Sequence, residues 1–379
     1  MNFTDIALDF VGTSKESGTK TYNYNFCKNL FKEKINFKTV LFITKKYKEE
    51  LKINNKKNIK IVTLSNIFEN IFFRLLWVNI GLPVLIRFFN IKVLFSPMNI
   101  SPIVIRFMNT KSILGLHSTL PWEYPGMIPG NIFRNFIMKQ IMEISLNSAN
   151  KILFCSKKSM DILKKKIHLK PHTTKYIYLG PGNNLEYNFF KNFNYNSKYI
   201  LSVISCTRYH PILNMLKSFN KCIKKNNMNI KFVLVMNILD KNYYSEVCKY
   251  IKNNSLSEKI IILNNLPSKY LGKIYQNCKL YIFSSLSETF GFTTIEAMKN
   301  KCMVLVSKKG SLVEINSDSA VYFNPNNIND LSSKIKKYLV KNNQKKFIRN
   351  GIIRANFFSW KKNFKLTFAE ITSFLKEEK

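Results

Sequence analysis

The sequence is that of an α/β protein built from doubly wound parallel sheets. Short apolar runs alternate with helical stretches along most of its 379 residues, the pattern of strands joined by crossover helices. The run 280–283, Leu-Tyr-Ile-Phe, is apolar at every position, as a parallel strand buried on both faces must be. Around it, residues 279–314 read as strand, loop, helix and strand, a unit whose ligands sit at the carboxyl end of the first strand. At roughly 150 residues per domain the length predicts two or three domains, and a 46% hydrophobic content lets each bury a core.

In chain order, 5–11 reads as a strand, followed by a polar loop and a helix with Tyr22, Phe26, Leu30 and Phe31 on its apolar positions. Gly18 in that loop permits close backbone approach to a ligand. Further strands are expected at 40–44, 59–64, 93–96 and 112–117, the last ending in His117, one of only four histidines. A single strand-end histidine is compatible with a structural or a catalytic role. Residues 120–129 hold three prolines and a glycine and are expected to be irregular. A strand at 151–156 precedes a helix at 157–166 that Ser156 can cap. The pattern breaks at Gly180-Pro-Gly182, which places an N-terminal domain at 1–182 and a linker at 183–197.

The second domain, 198–356, opens with a strand at 199–205 and a loop carrying Arg208 and His210 before a helix. Strands follow at 231–236, 259–263, 280–283, 302–306 and 320–323, with helices at 293–299 and 329–340. A last helix, within 357–379, starts near Ser359-Trp360. In the central unit Glu288 lies in the loop and Glu296 inside the helix, so two carboxylates can address different parts of one ligand. A carboxylate accepts two hydrogen bonds from a vicinal diol, as at a ribose. The plainer reading is that Glu296 is a solvated helix residue and Glu288 a charge favourable to the helix dipole.

The formal net charge is +38, with lysine-rich runs at 45–60, 157–170, 221–231 and 334–346. Such a surface attracts phosphate in any form, including anionic lipid, or reflects solvated lysines alone. No zinc-finger spacing, RNP-like signature or heptad repeat supports nucleic acid as a partner. The seven cysteines form no C-x-x-C pair or Cys/His cluster, and the six aspartates form no D-x-D pair. A reducing, cytoplasmic setting is expected, and Met1-Asn-Phe-Thr-Asp lacks the start of a signal peptide. The most apolar stretch, 71–95, is cut by Arg74, Gly81, Pro83, Arg87 and Lys92, a poor candidate to span roughly 30 Å of hydrocarbon. It fits either an aromatic, basic surface lying in a membrane interface or a helix packed within the first domain.

The run Glu288-Thr-Phe-Gly-Phe-Thr-Thr-Ile-Glu296-Ala-Met resembles the signature of glycosyltransferase family four, the glycosyl transferases group 1, in which two glutamates are separated by seven residues. Ser307, Gly310, Ser311 and Glu314 continue the resemblance. It implies a GT-B architecture, two Rossmann-like domains facing across a cleft with a C-terminal helix returning to the first. It implies that Glu288 contacts the transferred sugar and Glu296 the nucleotide ribose. Phe290, Gly291, Phe292 and Thr293 then complete the donor-binding run. Gly18 would face the sugar and diphosphate, His117 would approach the transferred sugar, and Arg208 would meet the diphosphate. His210 stands where the family has lysine and would act as a weaker, pH-sensitive cation. Lys301 and Met303 replace a usual glycine and proline, Ser118 an aspartate, and Gly18 stands alone where two glycines are usual.

The region 74–97 resembles mannosyl- and rhamnosyltransferases of bacterial surface polysaccharide synthesis. The expectation is therefore a retaining transferase that needs no metal or other cofactor. It would take a UDP- or GDP-linked sugar and pass it to a glycan or lipid-linked acceptor, in the cytoplasm or at the inner membrane face. Its rival is a non-catalytic basic protein of the same fold that recognises nucleic acid or an anionic membrane.

Overall fold

The computed structural model describes residues 4–12, 18–170, 173–182, 185–191, 193–195, 198–226, 228–340 and 344–376. The chain divides into two compact units, Met1–Thr119 with Phe136–Gly180 and Ser359–Lys379, and Leu120–Asn135 with Pro181–Phe358.

The first unit is a seven-stranded sheet of β1 (Ile6–Asp9), β2 (Thr39–Thr44), β3 (Ile59–Leu64), β4 (Val93–Ser96), β5 (Lys111–Leu116), β6 (Lys151–Phe154) and β7 (Thr174–Tyr176). Its order is β3-β2-β1-β4-β5-β6-β7, with every pairing parallel. β1, β2 and β4 are buried throughout, as runs rich in Val, Ile, Leu and Phe require between two helix layers. The helix Gly18–Lys32 buries Tyr22, Phe26 and Leu30, and Phe26 meets Phe10 at 5.6 Å and Phe364 of the helix Trp360–Lys376 at 5.0 Å. That last helix is fixed further by Glu370, which pairs with Lys151 at 2.6 Å and Lys175 at 2.5 Å. Gly180 lies flat against Trp360, where a Cβ would stand 2.3 Å from the indole.

The second unit is a six-stranded sheet of β8 (Tyr199–Cys206), β9 (Lys231–Ile238), β10 (Ile260–Asn264), β11 (Leu280–Phe283), β12 (Val304–Ser307) and β13 (Val321–Phe323). Its order is β10-β9-β8-β11-β12-β13, again parallel throughout. The strand order reverses between β8 and β11, so the loops leaving their carboxyl ends flank one crevice. In open α/β sheets that is the ligand position.

Two expectations change in the structure. Residues 120–129 contain a helical turn, Leu120–Glu123, and a 3-10 turn, Pro125–Met127. A proline in the first turn removes only an N–H that has no intrahelical partner anyway. The strand expected at 302–306 begins at Val304, because residues 300–302 close the preceding helix, Phe292–Lys299. Lys301 donates its N–H to the Met298 carbonyl and Cys302 to that of Ala297, both at 3.0 Å, the paired bonds of a Schellman close. Lys301 takes φ +62° there. The turn that favours glycine is thus made by a lysine, at a cost of about 1–2 kcal/mol.

Candidate functional site

Eight of the ten candidate residues sit on the loop after β11 and the helix it enters, or on the loop after β8, close to the sheet's switch point. Ser307, at the end of β12, clamps the first loop: its hydroxyl accepts from the Ser285 N–H at 3.0 Å and donates to the Ser285 carbonyl at 2.7 Å. Ser285 donates in turn to the Ser287 carbonyl at 2.8 Å. The Glu288 carbonyl accepts from Ser311 N–H at 3.0 Å, and Gly310, at φ +52°, lies against the Glu288 backbone where a Cβ would be 2.8 Å from its oxygen. Leu286 donates its N–H to the Tyr209 carbonyl at 2.9 Å, joining the β11 loop to the β8 loop.

The carboxyl group of Glu288 points at the start of the helix. It accepts from the backbone amides of Phe290, Gly291 and Thr289. Gly291 takes φ +84° as the N-cap, with no side chain capping the helix. Burial raises the Glu288 pKa to about 7 against the opposing pull of those amides, and the Glu123 charge adds to the rise. The amides that the family resemblance assigns to the donor are thus held by Glu288 in this structure. Phe290 is a core residue, its ring 5.2 Å from Phe292 and 5.1 Å from Phe358. Thr293 offers its carbonyl to the Tyr275 hydroxyl at 3.5 Å.

Glu296 lies on the following turns of the same helix and lines a cavity of about 240 Å³ with Pro181, Gly182, Leu185, Tyr187 and Lys299. The Tyr275 hydroxyl donates to its Oε2 at 3.1 Å. Its Oε1 occupies the space a side chain at Gly182 would need, 1.6 Å from the position of a Cβ. Burial raises the Glu296 pKa to about 7, opposed by the Tyr275 hydrogen bond and the Lys299 charge.

Arg208 is exposed and its guanidinium turns to the helix Lys241–Asn253, pairing with Glu246 at 2.5 Å and Asp240 at 3.6 Å. His210 is buried. Its Nδ1 lies 2.9 Å from the Ser205 carbonyl and 3.1 Å from the Thr207 hydroxyl. Burial pushes its pKa down to about 4. The pH-sensitive cation expected at this position is therefore a neutral imidazole at neutral pH.

His117 and Gly18 belong to the first unit. His117 follows β5, its N–H donating to Asn99 Oδ1 at 2.6 Å and its Nδ1 lying 3.3 Å from the Cys155 sulfur. Burial lowers its pKa to about 4 as well. Gly18 opens its helix, and Ser17 before it lies outside the described residues.

Sequence reasoning missed four neighbours of the glutamates. Ser287 donates to Glu123 Oε1 at 2.6 Å, a partner 164 positions away and invisible to local spacing. Tyr209 is raised in pKa by burial and then by the Glu288 charge. Tyr275 and Gly182 frame Glu296, and the only signal was the glycine in Gly180-Pro-Gly182. Among the described residues no group of three or more His, Cys, Asp or Glu is placed to hold a metal ion.

The raised carboxyls make stability pH-dependent. From the ordinary 4.5 up to about 7 the folded state holds more protons at Glu288 and Glu296 than the unfolded chain does. Stability therefore falls as pH rises through that window, and the loss is complete above it. Glu296→Gln is expected to match the wild type near pH 4 and to exceed it by roughly 1–3 kcal/mol near pH 8 in thermal denaturation. A gap independent of pH would contradict the assignment.

Residues 184–354 match the family described as glycosyl transferases group 1. The O-antigen chain mannosyltransferase RfbU of Salmonella typhimurium is 23% identical over 68% of this chain and 67% of its own length. Sucrose-phosphate synthase from Thermosynechococcus elongatus superposes with a TM-score of 0.76 at 15% identity, covering 99% of this chain and 100% of that one. Anabaena HepE in complex with UDP and glucose does so with a TM-score of 0.74 at 14% identity, covering 98% and 100%.

Proposed function

We propose that the chain is a glycosyltransferase of the group 1 type, a reading supported by the match over residues 184–354 and by the shared GT-B fold, and that it moves a mannose-type hexose from a nucleoside diphosphate to a glycan or lipid-linked acceptor. The acceptor belongs to surface polysaccharide synthesis, the donor carries UDP or GDP, and the reaction retains anomeric configuration without a metal ion. The name of its mannosyltransferase relative supports the sugar. The absence of a D-x-D pair among the six aspartates supports a leaving group met by protein donors.

One observation carries the reading. Glu288 and Glu296 stand on one loop and helix, the first at the helix N-terminus and the second in a cavity beside the bare backbone of Gly182. Glu296, oriented by Tyr275, accepts from the ribose diol. Glu288 exchanges its amide contacts for hydroxyls of the sugar, which frees the amides at residues 289–291 and the helix N-terminus for the departing diphosphate. Arg208 adds a permanent charge by leaving Glu246. His210, neutral, acts through shape and hydrogen bonding. Attack on the same face of the sugar, with a donor phosphate oxygen assisting deprotonation of the acceptor hydroxyl, leaves both glutamates as orienting groups.

The test is a thermal-shift screen with UDP, GDP and their mannose and glucose conjugates in EDTA. One nucleotide is expected to raise the melting temperature, since a ligand at about 100 times its Kd stabilises by about 2.7 kcal/mol. Glu296→Ala removes a charged hydrogen bond worth about 1.5–3 kcal/mol and should cut that affinity at least tenfold. No shift with any of these ligands at millimolar concentration would overturn the proposal.

A further inference from the structure

The first unit carries an apolar row that is left exposed among the described residues. Ile71–Phe88 is an 18-residue helical stretch of mean hydropathy 1.7, of which only 28% is buried. One face is docked: Arg74, Trp77, Val78, Leu82 and Ile86 are buried, and the Trp77 indole donates to Asp9 Oδ1 at 3.0 Å. The other face presents Phe72, Leu76, Ile80, Val84 and Phe88, each 41–75% exposed. A row at four-residue spacing drifts around an α-helix of 3.6 residues per turn. Here the wider π turn Trp77–Gly81, closed by i→i+5 bonds, winds more slowly and returns the row to one side. The 3-10 turn Ile103–Phe107 lies beside it, its first N–H donating to Asn79 Oδ1 at 3.2 Å. That turn adds exposed Val104 and Phe107, with the Arg106 guanidinium 4.6 Å over the Phe107 ring.

Charge selects the occupant. Apart from the buried Arg74, residues 70–122 contain Arg87, Lys92, Arg106 and Lys111 and not one acidic side chain. Two copies of so basic a face repel each other, and nucleic acid offers no apolar phase for aliphatic side chains. A membrane of anionic lipid offers both negative headgroups and hydrocarbon. The stretch is long and apolar enough to span, but one face is held to the sheet by Trp77, whose indole donates to the buried Asp9. The helix therefore stays with its unit, and only the other face is left for lipid.

We propose that the row Phe72, Leu76, Ile80, Val84 and Phe88, with Val104 and Phe107, docks the protein on an anionic bilayer. The row lies in the interface plane, and Arg87 and Arg106 meet the headgroups. This surface acts without a donor, so its test is independent of the transferase chemistry. The full chain is floated with vesicles of equimolar phosphatidylcholine and phosphatidylglycerol, and with pure phosphatidylcholine. It is expected to bind the anionic vesicles at least about tenfold more tightly. Ile80→Glu with Val84→Glu, both exposed and outside the core, should keep the melting temperature and lose at least about tenfold in vesicle affinity. Arg87→Gln with Arg106→Gln should lose about tenfold on anionic vesicles and little on neutral ones. Failure of the wild type to float, or flotation of the Glu variant like wild type, overturns the proposal. So does a wild-type dimer in sedimentation that the Glu variant dissolves, which would make a second copy the occupant.

Discussion

Gly310→Val is expected to lower turnover about a hundredfold, the loss that a misplacement near 1 Å can cause, while donor affinity changes far less. Gly310 sits at φ +52°, a conformation that a β-branched residue avoids. A Cβ built there stands 2.8 Å from the Glu288 carbonyl oxygen and 2.9 Å from its nitrogen. Both are backbone atoms, so no rotamer change relieves the contact. The Glu288 backbone must move, and the Ser311 N–H that holds its carbonyl moves with it. Glu296, whose contacts are Tyr275 and the Gly182 cavity, keeps its surroundings. Steady-state kinetics with the donor found by thermal shift should show the loss in kcat. Gly126→Ala is the control, since a Cβ there meets nothing within 4 Å. A kcat within twofold of wild type would mean that the Glu288 position does not govern the chemistry.

The same residues show where the sequence was legible. The unit from β11 to β12 could be read because its signals are local: an apolar run, two carboxylates with seven residues between them, and glycines at a helix start and a turn. Lys301, which broke the expected glycine, still closes the helix because the Schellman bonds outweigh the cost of its φ. β7 escaped because it is three residues long and mostly exposed. The helix Ile132–Ser148 hides its packing face: Ile132, Phe133, Phe136 and Ile137 repeat at four-residue spacing yet are exposed, while the buried positions include Ser145 and Ser148. Contacts such as Ser287 with Glu123, or Gly182 with Glu296, join distant positions and leave no mark in spacing. Protonation was hidden for a different reason. His210 looks like a cation until its burial is known, and Glu288 and Glu296 look like ordinary carboxylates until the fold removes their water.

Trp77→Ala is expected to cost about 3–5 kcal/mol of stability from packing alone, the range for deleting a buried aromatic side chain. Trp77 is 3% exposed, its ring 5.4 Å from Phe42 and 5.9 Å from Phe68. Gly81 approaches so closely that a Cβ would lie 2.9 Å from the indole. The indole N–H is also a donor to a fully buried carboxyl, Asp9, whose pKa is raised by burial and lowered by the Arg74 charge and this bond. Trp77→Phe separates the two effects: it keeps most of the ring volume and deletes the donor, for an expected loss of about 1–3 kcal/mol. The sign of its pH dependence follows. Losing a bond that favours the charged form raises the folded pKa of Asp9 further, so the folded state holds its proton to higher pH than the unfolded chain does. Each rise in pH above the ordinary carboxylate range then costs stability, and the deficit of the Phe variant should be larger at the higher of two pH values chosen above that range. Chemical denaturation at the two pH values checks both parts. A deficit below about 1 kcal/mol in Trp77→Ala would show that the indole does not hold the 71–88 stretch to the sheet. The exposed row on its other face would then lose the rigid base that fixes its orientation.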